Sequence, residues 1–116
     1  AGLAGRIDAL AGKARTGKIS NDDLAGGTYT ISNSGSFGTL ITAPIINQPQ
    51  VAILSTDGIK KRPVVVSGPD GDTIAIHPVG ILAQSFDHRA IDGAYSAAFL
   101  RRVQNILEQT DWEAEL

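Results

Sequence analysis

The chain has 116 residues, 42% of them hydrophobic, 19% charged and 5% aromatic, with a formal charge of −2 and no cysteine. That is a globular composition of a size for one small domain, not a disordered one. It excludes thiol catalysis, disulfides and thiolate zinc sites by its own residues, supplies no basic stripe for nucleic acid, and holds no apolar run near the ~20 residues that cross a bilayer.

The opening stretch AGLAGRIDALAGKARTGKI has no initiator methionine, and the chain has no Met at all, which reads as a processed or cut end. Leu3, Ile7, Leu10 and Ala14 recur at helical spacing with charged residues between them, so an amphipathic helix is expected, ending near Gly17. In SNDDLAGG (20–27), Ser20 or Asn21 can cap a short helical turn. TYTISNSGSFG (28–38) opens as a strand and dissolves into Ser, Asn and Gly, a loop type that often carries function. TAPIINQPQ (42–50) contains Pro44 and Pro49 and is extended or irregular.

VAILST (51–56) and IKKRPVVV (59–66) read as two strands of a hairpin, with Asp57-Gly58 as the tight turn. The basic run Lys60, Lys61, Arg62 reads as a solvated face, and SGPDGD (67–72) as a second turn. TIAIHPVGILAQSFDH (73–88) reads as one long strand with a bulge or bend where its apolar parity shifts, at His77-Pro78. A helix follows from Asp92 to about residue 108, with Asp92 as its cap. The order of helix, strand, hairpin, long strand and helix indicates an α+β layer sandwich with a mixed or antiparallel sheet.

His88 and Asp92 are the chemically suggestive pair. His88 falls, by strand parity, on the face of Leu82 and Phe86, where desolvation would keep an imidazole neutral and basic near pH 7. Asp92, four residues on, could cap the helix, orient the backbone or hold a basic partner. Each residue also has an ordinary structural role, and H-x-x-x-D-G alone fixes too little to decide. His77 and His88 share no helical face and have no carboxylate cluster beside them, so no metal site is expected.

The whole stretch SFDHRAIDGAYSAAFL (85–100) resembles the active-site segment of the dihydrolipoyl acyltransferase component of 2-oxo acid dehydrogenase complexes, with its D-H-R-x-x-D-G followed by the last helix. LAGGTYTISNSGSFGTLITAPIINQPQVAIL (24–54) is similar to the second segment of that family, in the same order and spacing. The resemblance runs over essentially the entire chain. It implies a chloramphenicol-acetyltransferase-like two-layer sandwich, a mixed sheet with helices on one face, of which residues 1–116 form the C-terminal half. It also implies a homotrimer with active sites between subunits.

Carried across, the family's catalytic histidine falls on His88, its motif aspartate on Asp92, and the hydroxyl that stabilises the tetrahedral intermediate on Ser32. Asn47 of IIN, and the loop residues Ser34 and Ser36, are expected to be structural. The implied reaction passes an acyl group, acetyl by overall resemblance to the pyruvate dehydrogenase member, between dihydrolipoamide and coenzyme A. Succinyl and branched-chain transfer, a chloramphenicol-acetyltransferase-like enzyme and a non-catalytic scaffold are the alternatives.

Coenzyme A would be a substrate. The lipoyl group would arrive on a separate lipoyl domain, and the decarboxylase and dihydrolipoyl dehydrogenase components would be partners. No metal, nucleic acid or membrane is implied. The expected location is the cytoplasm, or the mitochondrial matrix in a eukaryote. Family trimers join through an apolar C-terminal tail. Here, in EQTDWEAEL (108–116), Trp112 and Leu116 alternate with Glu108, Asp111, Glu113 and Glu115, so the core is expected to stay trimeric or to assemble further only weakly and in a salt-sensitive way.

Overall fold

Three short strands organise the computed structural model, which describes residues 2–115; Leu116, one of the two apolar tail residues, lies outside them. β1 (Thr30–Asn33), β2 (Ala52–Thr56) and β5 (Leu82–Phe86) form a sheet in the order β1-β2-β5. β1 runs parallel to β2 and β5 antiparallel to it, so the sheet is mixed. β2 is its centre and the core of the chain, with Ala52, Ile53, Leu54 and Ser55 all buried. A strand buried on both faces reads as an unbroken apolar run, and VAIL is one.

α1 (Gly2–Arg15) ends at the expected place, with Gly17 in the left-handed conformation at φ +68°. α2 (Asn21–Leu24) is capped by Ser20 in a reciprocal capping box with Asp23. Asp23 also pairs with Lys13 of α1 at 2.6 Å. The chain from Ser34 to Val51 holds one 3₁₀ turn, Gly35–Phe37, and no other helix or strand. α3 (Gly93–Gln109) packs on β5, and α4 (Trp112–Glu115) follows it. The Trp112 indole N–H donates to the Leu107 carbonyl at 3.0 Å, turning the tail back on the end of α3.

Two expectations fail. β2 does not pair with β3 (Lys60–Gly68), because β1 and β5 already occupy both of its edges. Asp57-Gly58 therefore carries the chain out of the sheet instead of reversing it. The hairpin is β3 with β4 (Gly71–Val79), turned at Pro69-Asp70 with Gly71 at φ +112°. The long strand is also two strands in two sheets, broken at Gly80-Ile81 and not bent at His77-Pro78. Pro63 and Pro78 are tolerated because both strands of a two-stranded ribbon have an outer edge, where a missing N–H costs nothing. Gly80 sits where a Cβ would come within 3.1 Å of Ile59 Cγ1.

Much apolar surface stays open. Leu3 and Ile7 on α1, Ile31 on β1, Phe37 and Ile45 in the loops, and Ile74 and Ile76 on the ribbon are all more than half exposed. Patches this extensive are covered in most soluble proteins by further protein.

Candidate active site

Ser32 lies on β1 directly opposite Ser55 of β2, half-buried. Directly paired residues share a sheet face, so Ser32, Ser55 and Ala83 point one way and Leu54 and Gln84 the other. α3 covers the Gln84 face, where the Gln84 amide donates to Ser96 Oγ at 2.8 Å and the Tyr29 hydroxyl donates to Gln84 Oε1. The Tyr29 and Phe99 rings add a tilted contact at 5.8 Å. Ser32 therefore lies on the face away from α3.

His88 follows β5 in a turn. The Asp87 N–H donates to Val51 O at 2.8 Å, the last rung of the β2–β5 ladder, and the Ala90 and Ile91 amides donate to Asp87 O. Asp87 and Arg89 flank the histidine with a two-pronged pair, Arg89 Nη2 to Asp87 Oδ2 at 2.7 Å and Nε to Oδ1 at 3.0 Å. The Arg89 guanidinium and then its backbone N–H hold the Asp87 carboxyl down to about 2. The imidazole is exposed, its ring tilted against Phe86 at 5.4 Å. The partly apolar, desolvated setting expected for it is not formed: β5 ends at Phe86, the strand parity does not reach residue 88, and the residue is exposed.

Asp92 is the N-cap of α3. Its Oδ1 accepts from the Tyr95 N–H at 2.7 Å and its carbonyl from the Ser96 N–H at 3.1 Å. Of the three roles open to it, the cap is the one present. It fixes where α3 starts, and so anchors the turn that carries His88 from its far side.

One chain does not bring Ser32 and His88 together. Ser32 is level with Ser55 on β2, whereas Asp87 is level with Val51, and β2 itself lies between the two outer strands. With strands about 4.8 Å apart and a rise of about 3.3 Å per residue, the two side chains stand about 15–20 Å apart. A groove of about 880 Å³ touches neither; it runs between α3 and the far end of β2, with Ile59, Leu82, Leu100, Arg101 and Glu108 in its walls. Among the described residues no three His, Asp or Glu side chains gather as a metal site would require.

The sequence reading missed Asp57, assigned there to a hairpin turn. It is buried, and its carboxylate accepts from Thr42 Oγ1 at 2.7 Å, Thr42 N at 3.1 Å, and Ser34 Oγ and Ser55 Oγ at 3.3 Å each. The hydroxyls of Thr39 and then Thr42 hold its carboxyl below the usual range. No local pattern in the sequence marks it, because the Ser34 and Thr42 hydroxyls that reach it lie 23 and 15 residues away.

The family model for 2-oxoacid dehydrogenases acyltransferase (catalytic domain) matches residues 1–113, and the chain belongs to that family. Its fold superposes with a TM-score of 0.85 on a probable dihydrolipoamide acetyltransferase from Listeria monocytogenes, 44% identical, covering 93% of this chain and 44% of that one. It superposes at 0.83 on the Azotobacter vinelandii dihydrolipoamide acetyltransferase, 36% identical, covering 92% and 42%; that structure served to investigate the role of a serine, a histidine and an asparagine in its catalytic mechanism.

Among curated proteins it is 48% identical over 103 residues to the succinyltransferase component of the Haemophilus influenzae 2-oxoglutarate dehydrogenase complex (89% of this chain, 24% of that protein). It is 47% identical over 110 residues to the acyltransferase component of the Bacillus subtilis branched-chain complex (95% and 25%). It is 44% identical over 117 residues to the acetyltransferase component of the Mycobacterium tuberculosis pyruvate dehydrogenase complex (100% and 21%). The chain thus spans about a quarter of the curated relatives it matches and under half of the solved chains.

Proposed function

We propose that this chain is part of an enzyme that moves an acyl group between the thioester of dihydrolipoamide and the thiol of coenzyme A. The observation that carries the reading is the His88 turn: an exposed imidazole at a strand end, held on one side by the Asp87–Arg89 pair and on the other by the Asp92-capped helix. The Azotobacter relative offers support, since its histidine and asparagine are four residues apart, as His88 and Asp92 are.

In this reading the His88 imidazole takes the proton of the coenzyme A thiol as the sulfur attacks the thioester carbonyl. The carbonyl oxygen becomes an oxyanion, to which the Ser32 hydroxyl donates. Collapse of the intermediate breaks the bond to the dihydrolipoyl sulfur, and the imidazolium returns its proton to that sulfur. The protein supplies no nucleophile, and no G-x-S-x-G elbow surrounds Ser32. Asp92 orders the turn and takes no part in proton transfer. The separation of Ser32 and His88 calls for a neighbouring copy to complete each site, as in a homotrimer. The open apolar surface calls for the rest of a catalytic domain of which residues 1–116 are the C-terminal part.

The lipoyl domain that delivers the thioester, and the decarboxylase and dehydrogenase components, are the partners this chemistry implies. Acetyl is the first acyl group to test. Succinyl stands beside it, because a succinyltransferase relative is 48% identical and an acetyltransferase one 44%. The test is transfer from acetyl-, succinyl- and isobutyryl-coenzyme A to free dihydrolipoamide by the full catalytic domain. Turnover with one or more of them is expected; none with any of them would overturn the assignment.

A further inference from the structure

Asp57 is the most completely buried carboxylate described in the chain, and the reaction just proposed does not use it. Both of its oxygens are taken. Oδ1 accepts from Thr42 Oγ1 and Ser34 Oγ, and Oδ2 from the Thr42 N–H and Ser55 Oγ. Its two ion-pairing alternatives are absent: the lysine and arginine bridges among the described residues involve Asp23 and Asp87. A buried carboxylate with no cation depends on its hydrogen-bond donors, so these donors are held to it.

The donors come from two sides of Ser32. Ser55, fully buried, is the β2 residue directly opposite Ser32. Ser34 lies two residues beyond Ser32, where the chain leaves β1, and Thr42 lies eight residues further on, midway along the loop that runs to Val51. The backbone of that loop seals against the same point. The Gly58 N–H donates to Thr39 O at 2.9 Å, a Cβ on Gly58 would meet Thr39 O at 2.9 Å, and one on Gly35 would meet Asp57 O at 3.0 Å. Glycine at 35 and 58 is what lets the loop close over Asp57.

We propose that Asp57 is a positioning residue for Ser32: by gripping Ser55 and the Ser34–Thr42 loop together, it sets where the Ser32 hydroxyl points. The proposal rests on the acyl-transfer reading of Ser32. An asparagine at 57 keeps one acceptor and replaces the other with an N–H: at the Oδ2 position it would face the Thr42 N–H, and at the Oδ1 position the Thr42 and Ser34 hydroxyls must turn to accept it, so the grip on the loop weakens while the strand stays paired. Small displacements of a positioned donor carry large rate effects.

The test uses the full catalytic domain, with acyl transfer to dihydrolipoamide as the readout, and the variants Asp57→Asn, Thr42→Val and Ser32→Ala, singly and combined. Thr42→Val removes one grip and keeps the side-chain shape, so it serves if Asp57→Asn does not fold. The expected result is a fall in kcat of roughly 10–100-fold for Asp57→Asn and less for Thr42→Val, with KM within about twofold. In the Ser32→Ala background either change should cost less than about twofold further, because the group they aim is gone. Equal losses in both backgrounds, or a rise in KM with unchanged kcat, would overturn the positioning role and leave the acyl-transfer reading standing. An unchanged kcat for Ser32→Ala itself would overturn the premise about Ser32 and the proposal with it.

Discussion

Ser32 and His88 stand at opposite ends of the same central strand, one level with Ser55 and the other just past Val51, with β2 between them. The separation follows from register alone and needs no side-chain detail. In the proposed acyl transfer, each chain would then own two half-sites: an oxyanion donor at one end of the sheet and a base at the other.

Removing the proposed base should leave the fold intact, since the imidazole is exposed and packs its ring against Phe86 at the rim of the sheet. His88→Ala in the full catalytic domain is expected to lower kcat about 10²–10⁴-fold, with an unchanged unfolding midpoint. Activity within tenfold of the parent would assign His88 to structure.

Ser32→Ala should lower kcat by roughly 10²–10³-fold with little change in KM, because in the proposed reaction the hydroxyl bonds the oxyanion and not the ground-state carbonyl. Steady-state kinetics in both substrates separates the two. A rise in KM alone would indicate a binding role.

Asp92→Ala removes a helix cap and one anchor of the histidine turn. A loss of about 0.5–2 kcal/mol in stability is expected, measured by denaturant titration, together with a fall in kcat. Asp92→Asn, which can still cap, should restore most of both. If the asparagine variant is as impaired as the alanine one, the charge of Asp92 acts in the reaction.

Acid should weaken the chain through Asp23 and Asp87. Both carboxyls sit at about 2 in the folded chain, against an ordinary value of 3.8, Asp23 mainly through the Lys13 ammonium and Asp87 mainly through the Arg89 guanidinium. The unfolded chain binds their protons first, so their contribution is complete above about pH 4 and is lost as pH falls toward 2. Both pairs face solvent, so salt should flatten the effect. Unfolding midpoints at pH 6, 4 and 3 should fall less steeply for Asp87→Asn than for the parent; parallel slopes would exclude the pair.

α1, α2, α3, the turn within residues 67–72 and the approximate strand positions were legible in the sequence, because caps, spacing and glycine act locally; α4 and the 3₁₀ turn were not. Asp92 as a cap and Ser20 with Asp23 are of that kind. Strand pairing was not legible. Asp57-Gly58 has the composition of a hairpin turn, and only the occupation of both β2 edges by strands about twenty and thirty residues distant rules that out. The break at Gly80 and the burial of Asp57 likewise depend on contacts with Ile59 and Thr42, which no local pattern announces. The candidate site residues were named through motif resemblance, which also implied sites between subunits; their separation along β2 within one chain is read from the register.

The acidic tail bears on assembly. Trp112 is 46% exposed and its indole N–H is already spent on Leu107 O, while Asp111 and Glu113 flank it on α4 and its approach. Burying it in a neighbouring trimer would desolvate those carboxylates. Light scattering of the complete catalytic domain should give trimers at near-physiological salt. A stable particle of eight or more trimers at micromolar concentration would contradict this.

The most direct measurement mixes two inactive variants. His88→Ala chains keep the Ser32 half-site and Ser32→Ala chains keep the His88 half-site. If neighbouring copies build each active site, subunit exchange between the two must create sites with both groups intact. Transfer from acetyl-coenzyme A to dihydrolipoamide should then reappear in the mixture, after exchange is verified by mass spectrometry of differently tagged chains. No recovery in fully exchanged trimers would contradict a site shared between copies.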